Sequence, residues 1–118
     1  MKNKFNAKKR KKNGELFDSS AEMRRWVQLQ KMEKEGEITD LRRQVKFVLI
    51  PKQQAETHDG IVNERECSYI ADFVYVKDGH TVVEDVKGNT KGIAYQYYVV
   101  KRKLMLERYG IAIKEVYK

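Results

Sequence analysis

Hydrophobic positions spaced three and four residues apart indicate two helices. The first follows Ser19, which stands three residues before Glu22 in a capping-box pattern, and we expect it to end near Glu35, where a glycine follows. The second spans about residues 95–108, and Gly110 is its expected C-terminal cap. Both helices are therefore bounded by residue types that commonly begin or end helices.

Runs rich in β-branched and aromatic residues indicate strands between and after these helices. We expect four strands, at residues 45–50, 66–76, 81–87 and 111–116. The polar stretch 52–60, which follows Pro51, predicts a loop, and Asp78-Gly79 predicts a hairpin turn. The order helix, three strands, helix, strand predicts an α/β (α+β) fold with an αβββαβ core, in which helices flank a mixed four-stranded sheet.

Positive charge is concentrated at the N-terminus. The chain has 118 residues, the size of one domain, and a net charge of +8; residues 1–12 carry seven positive charges and no acidic residue. We therefore expect a basic flexible arm over residues 1–14 and a folded domain over residues 15–118. Such arms commonly contact nucleic-acid phosphates, although charge alone does not distinguish DNA from RNA or from nonspecific attraction. The candidate DNA contacts in the arm are Lys8, Lys9, Arg10, Lys11 and Lys12.

Apolar runs in the sequence are too short for a membrane span. None approaches the roughly 20 residues that a transmembrane helix needs. The single cysteine, Cys67, cannot form an intrachain disulfide, and a chain without disulfides is typical of reducing compartments. We expect a soluble, cytoplasmic protein with no membrane partner.

The predicted turn at Asp78-Gly79 determines which side chains face each other in the hairpin. It places Asp72 directly opposite Asp85, and opposed carboxylates within apolar strands repel each other and are costly to bury. A divalent cation between them would offset that cost, and oxygen ligands favour Mg²⁺ or Mn²⁺. Lys87 projects from the same strand face as Asp85 and could hold a phosphate beside the ion. The alternative is a solvent-exposed charge ladder, and spacing alone does not decide between the two.

This pattern resembles the signature of the PD-(D/E)XK nuclease superfamily. Ala71-Asp72 is followed after twelve residues by Asp85-Val86-Lys87, with Ala71 in place of the proline in the superfamily name. The predicted element order also resembles the core of that superfamily. More closely, the chain resembles a family of small phage and prophage proteins described as domains of unknown function, as candidate nucleases or as Holliday-junction-resolvase-like. The segments that carry this likeness are 17–22, 40–47, 69–75, 83–88 and 101–105.

The resemblance implies a metal-dependent DNA endonuclease with a restriction-endonuclease-like fold, Mg²⁺ or Mn²⁺ as cofactor, and DNA, including branched DNA such as Holliday junctions, as substrate. It implies catalytic roles for Asp72, Asp85, Lys87 and Glu22, and metal contacts from the three acids among them. An enzyme that cuts junctions needs two active sites, so a homodimer would follow. The alternative is a non-catalytic nucleic-acid-binding phage protein with a vestigial nuclease site.

Two acidic residues near these positions need a separate interpretation. Glu22 is either the partner of Ser19 in the capping box or, by the resemblance, an acid that faces the metal, and the two roles are compatible. Glu84 is expected to point away from Asp85, because neighbouring residues of a strand face opposite sides, and to be structural.

The second predicted helix carries basic and aromatic side chains. Lys101, Arg102 and Lys103 form either a solvated basic face or a set of phosphate contacts beside the site, with Lys101 and Lys103 as the candidate DNA contacts. The three tyrosines within residues 95–98 either pack in the core, which is the more common role, or stack on bases.

Overall fold

Ten short elements make up the part of the chain that the structure describes. The computed structural model describes residues 10–12, 14–88 and 90–117. In chain order, its elements are β1 (Arg10–Lys12), β2 (Glu15–Phe17), α1 (Ser20–Lys34), β3 (Thr39–Ile50), β4 (Gln53–Thr57), β5 (Gly60–Glu64), β6 (Cys67–Lys77), β7 (His80–Lys87), α2 (Ile93–Tyr109) and β8 (Lys114–Tyr117).

Four of these strands form the central sheet, in the order β3-β6-β7-β8. β3, β6 and β7 pair with one another in antiparallel fashion, whereas β8 pairs with β7 in parallel. The pairs β1-β2 and β4-β5 are separate two-stranded ribbons. The predicted α/β class with a mixed four-stranded sheet is confirmed, and the order helix, three sheet strands, helix, strand is also as predicted.

The two helices pack against opposite faces of the sheet. On one face, Leu29 of α1 packs beside Phe73 of β6, and Trp26 stacks on Phe73 with the ring centroids 5.8 Å apart. On the other face, Tyr98 and Met105 of α2 pack against buried side chains of β3, β6 and β7. Burial of apolar surface on both faces fixes each helix relative to the strand ends that carry the candidate site.

The residues predicted to bound the helices do so. Ser19 is the N-cap of α1, and its hydroxyl accepts a hydrogen bond from the N–H of Glu22 at 3.1 Å. Gly110 ends α2 in the left-handed conformation, with φ of 68°, and its N–H donates to the carbonyl of Leu106 at 2.9 Å. α2 begins at Ile93, two residues earlier than predicted. Among the described residues, no helix combines the length and the apolar character needed to cross a bilayer.

The prediction of a loop over residues 52–60 is wrong, because β4 and β5 form a hairpin there. Thr57 faces Gly60 across a two-residue turn. Every residue of both strands is exposed. A ribbon with water on both faces has no buried side, so hydrophobic alternation cannot reveal it. Gly60, which follows the turn residues His58 and Asp59 directly and has a φ of 122°, is the signal that could have identified this hairpin.

Two strands of the sheet have different bounds from those predicted. β3 begins at Thr39 instead of residue 45. Its first half was not predicted because it is mostly polar and contains two non-glycine residues with positive φ, Asp40 at 55° and Gln44 at 51°. β8 covers Lys114–Tyr117, three residues later at its start than the predicted strand. Hydrophobic periodicity detects neither change, since both segments are only partly buried.

The predicted basic arm lies mostly outside the described residues. Its last basic residues, Arg10–Lys12, form β1 and pair with β2. Lys8 and Lys9 lie outside the described residues. The division into an arm and a domain therefore stays a prediction, except that the end of the arm belongs to a β-ribbon.

Candidate functional site

Strands β6 and β7 separate at the two predicted acids. Their ladder runs from the hairpin turn to the pair Phe73–Glu84, in the register that the predicted turn requires, and stops one residue before Asp72 and Asp85. There, Oδ2 of Asp72 accepts a hydrogen bond from the N–H of Val86 at 2.7 Å. A side-chain oxygen thus takes the place of a ladder carbonyl, which ties the two strands together where the ladder has ended.

The sheet is also irregular on the other side of Asp72. The residues that flank Gln44 on β3 pair with the residues that flank Asp72, and Gln44 itself has a φ of 51°. On β6, Ala71 packs on the α2 face whereas Phe73 packs on the α1 face, so the usual alternation is interrupted at Asp72. Such irregularities redirect side chains and are common beside functional sites.

Asp72 and Asp85 form a carboxyl pair with little access to water. Asp85 is 7% exposed, and Asp72 is half-buried. Burial and, after it, the neighbouring Asp85 carboxylate raise the pKa of Asp72 to about 8, although the hydrogen bond from Val86 acts in the opposite direction. At neutral pH, Asp72 therefore holds a proton beside Asp85. The two acids therefore lie beside each other as predicted, although the strand pairing that was expected to place them directly opposite ends one residue earlier, at Phe73 and Glu84.

Lys87 points to the same place. Its Nζ forms an ion pair with Oδ2 of Asp85 and lies 3.3 Å from the centroid of the Tyr98 ring. The Lys87 and Asp85 side chains are only 17% and 9% exposed. The prediction that they share one face of β7 is confirmed, and the alternative of a solvent-exposed charge ladder is wrong because both side chains are largely buried.

Glu22 combines a capping position with an orientation toward the acids. Its Oε2 accepts a hydrogen bond from the N–H of Asp18 at 3.1 Å, one residue before the Ser19 N–H that a standard capping box would use. Its Oε1 accepts from Nε2 of Gln44 at 3.0 Å. Glu22 is 3% exposed, and burial raises its pKa although both hydrogen bonds oppose the rise.

One cavity of about 270 Å³ brings the four predicted catalytic residues together. It is lined by Asp18, Ser19, Glu22, Asp72, Asp85, Val86, Lys87 and Gly88. Four acids face one lysine there, so the cavity attracts cations. Among the described residues, no three carboxylate, imidazole or thiolate groups are arranged so that they alone could hold a metal ion. An ion held here would use Asp72 and Asp85 with water as further ligands, a common arrangement for Mg²⁺.

Glu84 lies on the opposite face of β7 and is neutralised there. Its carboxylate accepts hydrogen bonds from Nε and Nη2 of Arg25, at 2.8 and 2.7 Å, and from the Tyr75 hydroxyl. Burial alone would raise the pKa of Glu84, but the hydrogen bonds from Arg25 and Tyr75 outweigh burial and lower it. The prediction that Glu84 faces away from Asp85 is confirmed, and its ion pair ties α1 to β7.

The basic residues predicted to contact DNA separate into distinct places. Lys101 lines a second cavity, of about 410 Å³, that adjoins the first. Lys103 is exposed and lines neither of these two cavities. Arg102, between them, forms an ion pair with Glu115 at 2.9 Å. In the arm, Arg10, Lys11 and Lys12 belong to β1, whereas Lys8 and Lys9 lie outside the described residues.

Sequence analysis did not identify the side chains that support the acids. Tyr98 lies beneath the Lys87 ammonium, Gln44 binds Glu22, and Arg25 neutralises Glu84. Each supporting residue belongs to a different element from that of its partner, so no spacing within one helix or strand links the two. For Tyr98, the sequence signal was its place among three tyrosines of one helix, which left core packing and base stacking open.

Comparison with known proteins relates nearly the whole chain to one family. Residues 2–116 match the family model described as "Protein of unknown function (DUF1064)". No curated protein and no solved structure matches the chain. The match includes the basic N-terminal segment as well as the sheet and both helices.

Proposed function

We propose that this chain, which belongs to the DUF1064 family, is a divalent-metal-dependent DNA endonuclease that hydrolyses phosphodiester bonds. The observation that carries the proposal is the buried pair Asp72 and Asp85, with Lys87 in contact with the second acid. Two carboxyl groups enclosed side by side are unfavourable in a purely structural role, because each raises the cost of ionising the other. Such perturbed groups in a cavity are typical of functional sites.

The residues of the cavity suit a hard divalent cation. Asp72 and Asp85 would hold Mg²⁺ or Mn²⁺, and Glu22 would face the water around it. Binding would require Asp72 to release the proton that it holds at neutral pH. When bound, such an ion supplies an activated water and polarises a phosphoryl oxygen.

The side chains around the acids have separate tasks in this proposal. Lys87 bears a positive charge that is held between Asp85 and the Tyr98 ring, and it would stabilise the negative charge that develops on the phosphate. The hydrogen bond from the N–H of Val86 fixes the orientation of the Asp72 carboxyl group, so its second oxygen is held in one direction. The hydrogen bonds from Asp18 and Gln44 hold Glu22 in one orientation toward the cavity.

DNA as substrate rests on the basic N-terminal segment and on the resemblance to PD-(D/E)XK nucleases. The segment carries seven positive charges within twelve residues, which would attract phosphates of either nucleic acid. From the likeness to phage proteins that resemble Holliday-junction resolvases, we further propose that the substrate includes branched DNA, that the protein is a homodimer and that it acts in the host cytoplasm. Light scattering of the purified protein tests the homodimer.

A second candidate function is nucleic-acid binding without catalysis. The contact of Lys87 with Asp85 favours it, because an ion pair already satisfies the carboxylate that a metal would use. The absence, among the described residues, of three acids arranged to hold an ion by themselves also favours it. A vestigial site would bind DNA with or without divalent metal and would cut none.

Cleavage of a panel of DNA structures separates the two functions. Linear, nicked, flapped and four-way-junction DNA are incubated with one preparation, with Mg²⁺, with Mn²⁺ and with a chelator. An endonuclease cuts at least one structure only when the metal is present, whereas a binding protein leaves all four intact under every condition.

A further inference from the structure

The second cavity adjoins the proposed metal site directly. It lies between β6 and α2, it measures about 410 Å³, and Asp85 and Lys87 line both cavities. Pockets for small organic ligands commonly enclose about 300–1,000 Å³. The cavity is therefore large enough for a group that is attached to the phosphate at the first cavity.

The walls of this cavity expose flat and apolar surface beside charged groups. Tyr97 of α2 is 68% exposed and Ile70 of β6 is 54% exposed, and both line it. Tyr69 and Tyr98, whose ring centroids are 6.4 Å apart, line it as well but are buried. A flat apolar ligand that covers large exposed side chains such as Tyr97 and Ile70 removes apolar surface from water, which favours binding.

Two lysines and the N-terminal turn of a helix also line the same cavity. Lys87 and Lys101 line it, and so does Ala94 in the first turn of α2. The N-cap of α2 is Gly92, which has no side chain to accept hydrogen bonds from the first N–H groups of the helix. The first turn, residues 93–96, contains no acidic residue. Lys87 is already paired with Asp85, which lines the same cavity, so the positive charge left to attract an anion is that of Lys101 together with the partial charge of this helix end.

We infer that this cavity binds one unpaired nucleotide of the DNA substrate, with its base against Tyr97 and Ile70 and its phosphate near Lys101. A base within a duplex is stacked on both sides and cannot cover Tyr97 without leaving the stack. The inference rests on the proposed function and makes it more specific: the preferred substrate carries an unpaired nucleotide next to the cleaved bond, as in gapped or flapped DNA.

Binding measured without cleavage tests this inference separately from the nuclease activity. Fluorescence anisotropy in a chelator compares a labelled duplex that has one unpaired adenine with the fully paired duplex of the same sequence. The variants are Tyr97→Ala and Lys101→Ala. Their controls on the same helix are Leu106→Ala, which removes an apolar side chain that is 55% exposed and lies outside the cavity, and Lys103→Ala, which removes a lysine outside the cavity.

Wild type is expected to bind the duplex with the unpaired adenine more tightly than the paired one. Tyr97→Ala should lower affinity for the former on the order of ten-fold, the size of one lost base–aromatic stack, and leave the paired duplex unchanged. Lys101→Ala should weaken binding more than Lys103→Ala does. Equal affinities of wild type for both duplexes, or equal losses in Tyr97→Ala and Leu106→Ala, would overturn the inference.

Two further outcomes separate this inference from its alternatives. If light scattering shows that Tyr97→Ala dissociates a dimer, the exposed face is a contact between two copies and the inference is wrong. If the adenine-specific affinity depends on Tyr97 while no DNA is cut with either metal, the nucleotide site stands and the proposed nuclease activity does not.

Discussion

Asp72 accepts a hydrogen bond from the backbone N–H of Val86 at the point where the β6–β7 ladder ends. The bond joins two strands through a side chain, so one acid of the pair is held by the sheet itself. Asp85 follows on the partner strand and pairs with Lys87. Because these groups belong to strands and not to loops, we expect substitutions there to change chemistry more than fold.

The metal-free protein should lose stability as the pH rises. Burial and Asp85 raise the pKa of Asp72 from 3.8 to about 8, so between these values the folded state holds a proton that the unfolded chain releases. The free energy of unfolding therefore falls as the pH increases from about 4 to about 8. Urea unfolding at several pH values should show this fall in wild type and a smaller one in Asp72→Asn.

The control for this pH dependence is Asp78→Asn, which changes an exposed acid at the hairpin turn. It should keep the wild-type profile. Saturating Mg²⁺ should restore stability most at the alkaline end, where Asp72 is ionised and can bind the cation. A pH profile of Asp72→Asn that matches that of wild type would contradict the assignment of the bound proton.

Lys87 should be required for cleavage but not for metal binding. A protonated lysine cannot ligate a cation, so Lys87→Ala should keep Mg²⁺ affinity and DNA affinity while the cleavage rate falls on the order of 100-fold. Lys87→Arg should restore only part of the rate, because a planar guanidinium does not fit between Asp85 and Tyr98 as an ammonium does. Calorimetric titration and single-turnover cleavage measure the two effects, with Lys77→Ala as the exposed control.

Arg25 should contribute strongly to stability, because it neutralises a fully buried carboxylate. Arg25→Leu leaves Glu84 without its main partner, and breaking a buried ion pair in this way costs about 3–5 kcal/mol. The free energy of unfolding in urea measures the loss. Arg24→Leu, at the exposed neighbouring position, should change it little. Equal effects of the two substitutions would mean that the ion pair does not stabilise the fold.

The basic N-terminal segment should determine the salt dependence of DNA binding. Deleting residues 1–9 removes four lysines but spares strand β1, and it should reduce the log–log slope of affinity against salt by up to about 3.6 if each lysine contacts a phosphate. Replacing the same lysines with glutamine in the full chain should have the same effect, which separates charge from length. A slope unchanged by either alteration would show that the segment does not contact DNA.

Much of the sheet and of the acid pair could be predicted from the sequence, because the signals are local. Asp78-Gly79 fixes the hairpin register, and that register brings Asp72 and Asp85 to the same end of the β6–β7 ladder. The shared face of Asp85 and Lys87 follows from the two-residue period of a strand. Ser19 and Gly110 bound their helices through backbone chemistry that depends on a few neighbouring residues.

The parts of the fold and of the site that the sequence did not predict depend on contacts between different elements or on surfaces that stay exposed. The β4–β5 hairpin has no apolar face, so its alternation carries no signal. Gln44 adopts a positive φ within a strand, which no propensity favours, yet this residue holds Glu22. The placement of Tyr98 beneath Lys87 and of Tyr97 in the open follows from how α2 packs on the sheet, which the sequence of the helix alone does not specify.

Asp85→Asn is the substitution that tests the proposed function most directly. It removes the charge that both a metal ion and Lys87 would use, and it leaves the basic segment intact. DNA affinity should therefore stay near that of wild type while cleavage is lost. Asp59→Asn, at the exposed tip of the β4–β5 hairpin, is the matched control and should cut normally.

The measurement is the cleavage of supercoiled plasmid and of linear, nicked, flapped and four-way-junction DNA by wild type, Asp85→Asn and Asp59→Asn, all purified in the same way, with Mg²⁺, with Mn²⁺ and with a chelator. We predict that wild type and Asp59→Asn cut at least one of these DNAs only when the metal is present, and that Asp85→Asn cuts none. Cleavage by Asp85→Asn at the wild-type rate, or no cleavage of any of these DNAs by wild type in both Mg²⁺ and Mn²⁺, would contradict the proposal that this chain is a metal-dependent nuclease.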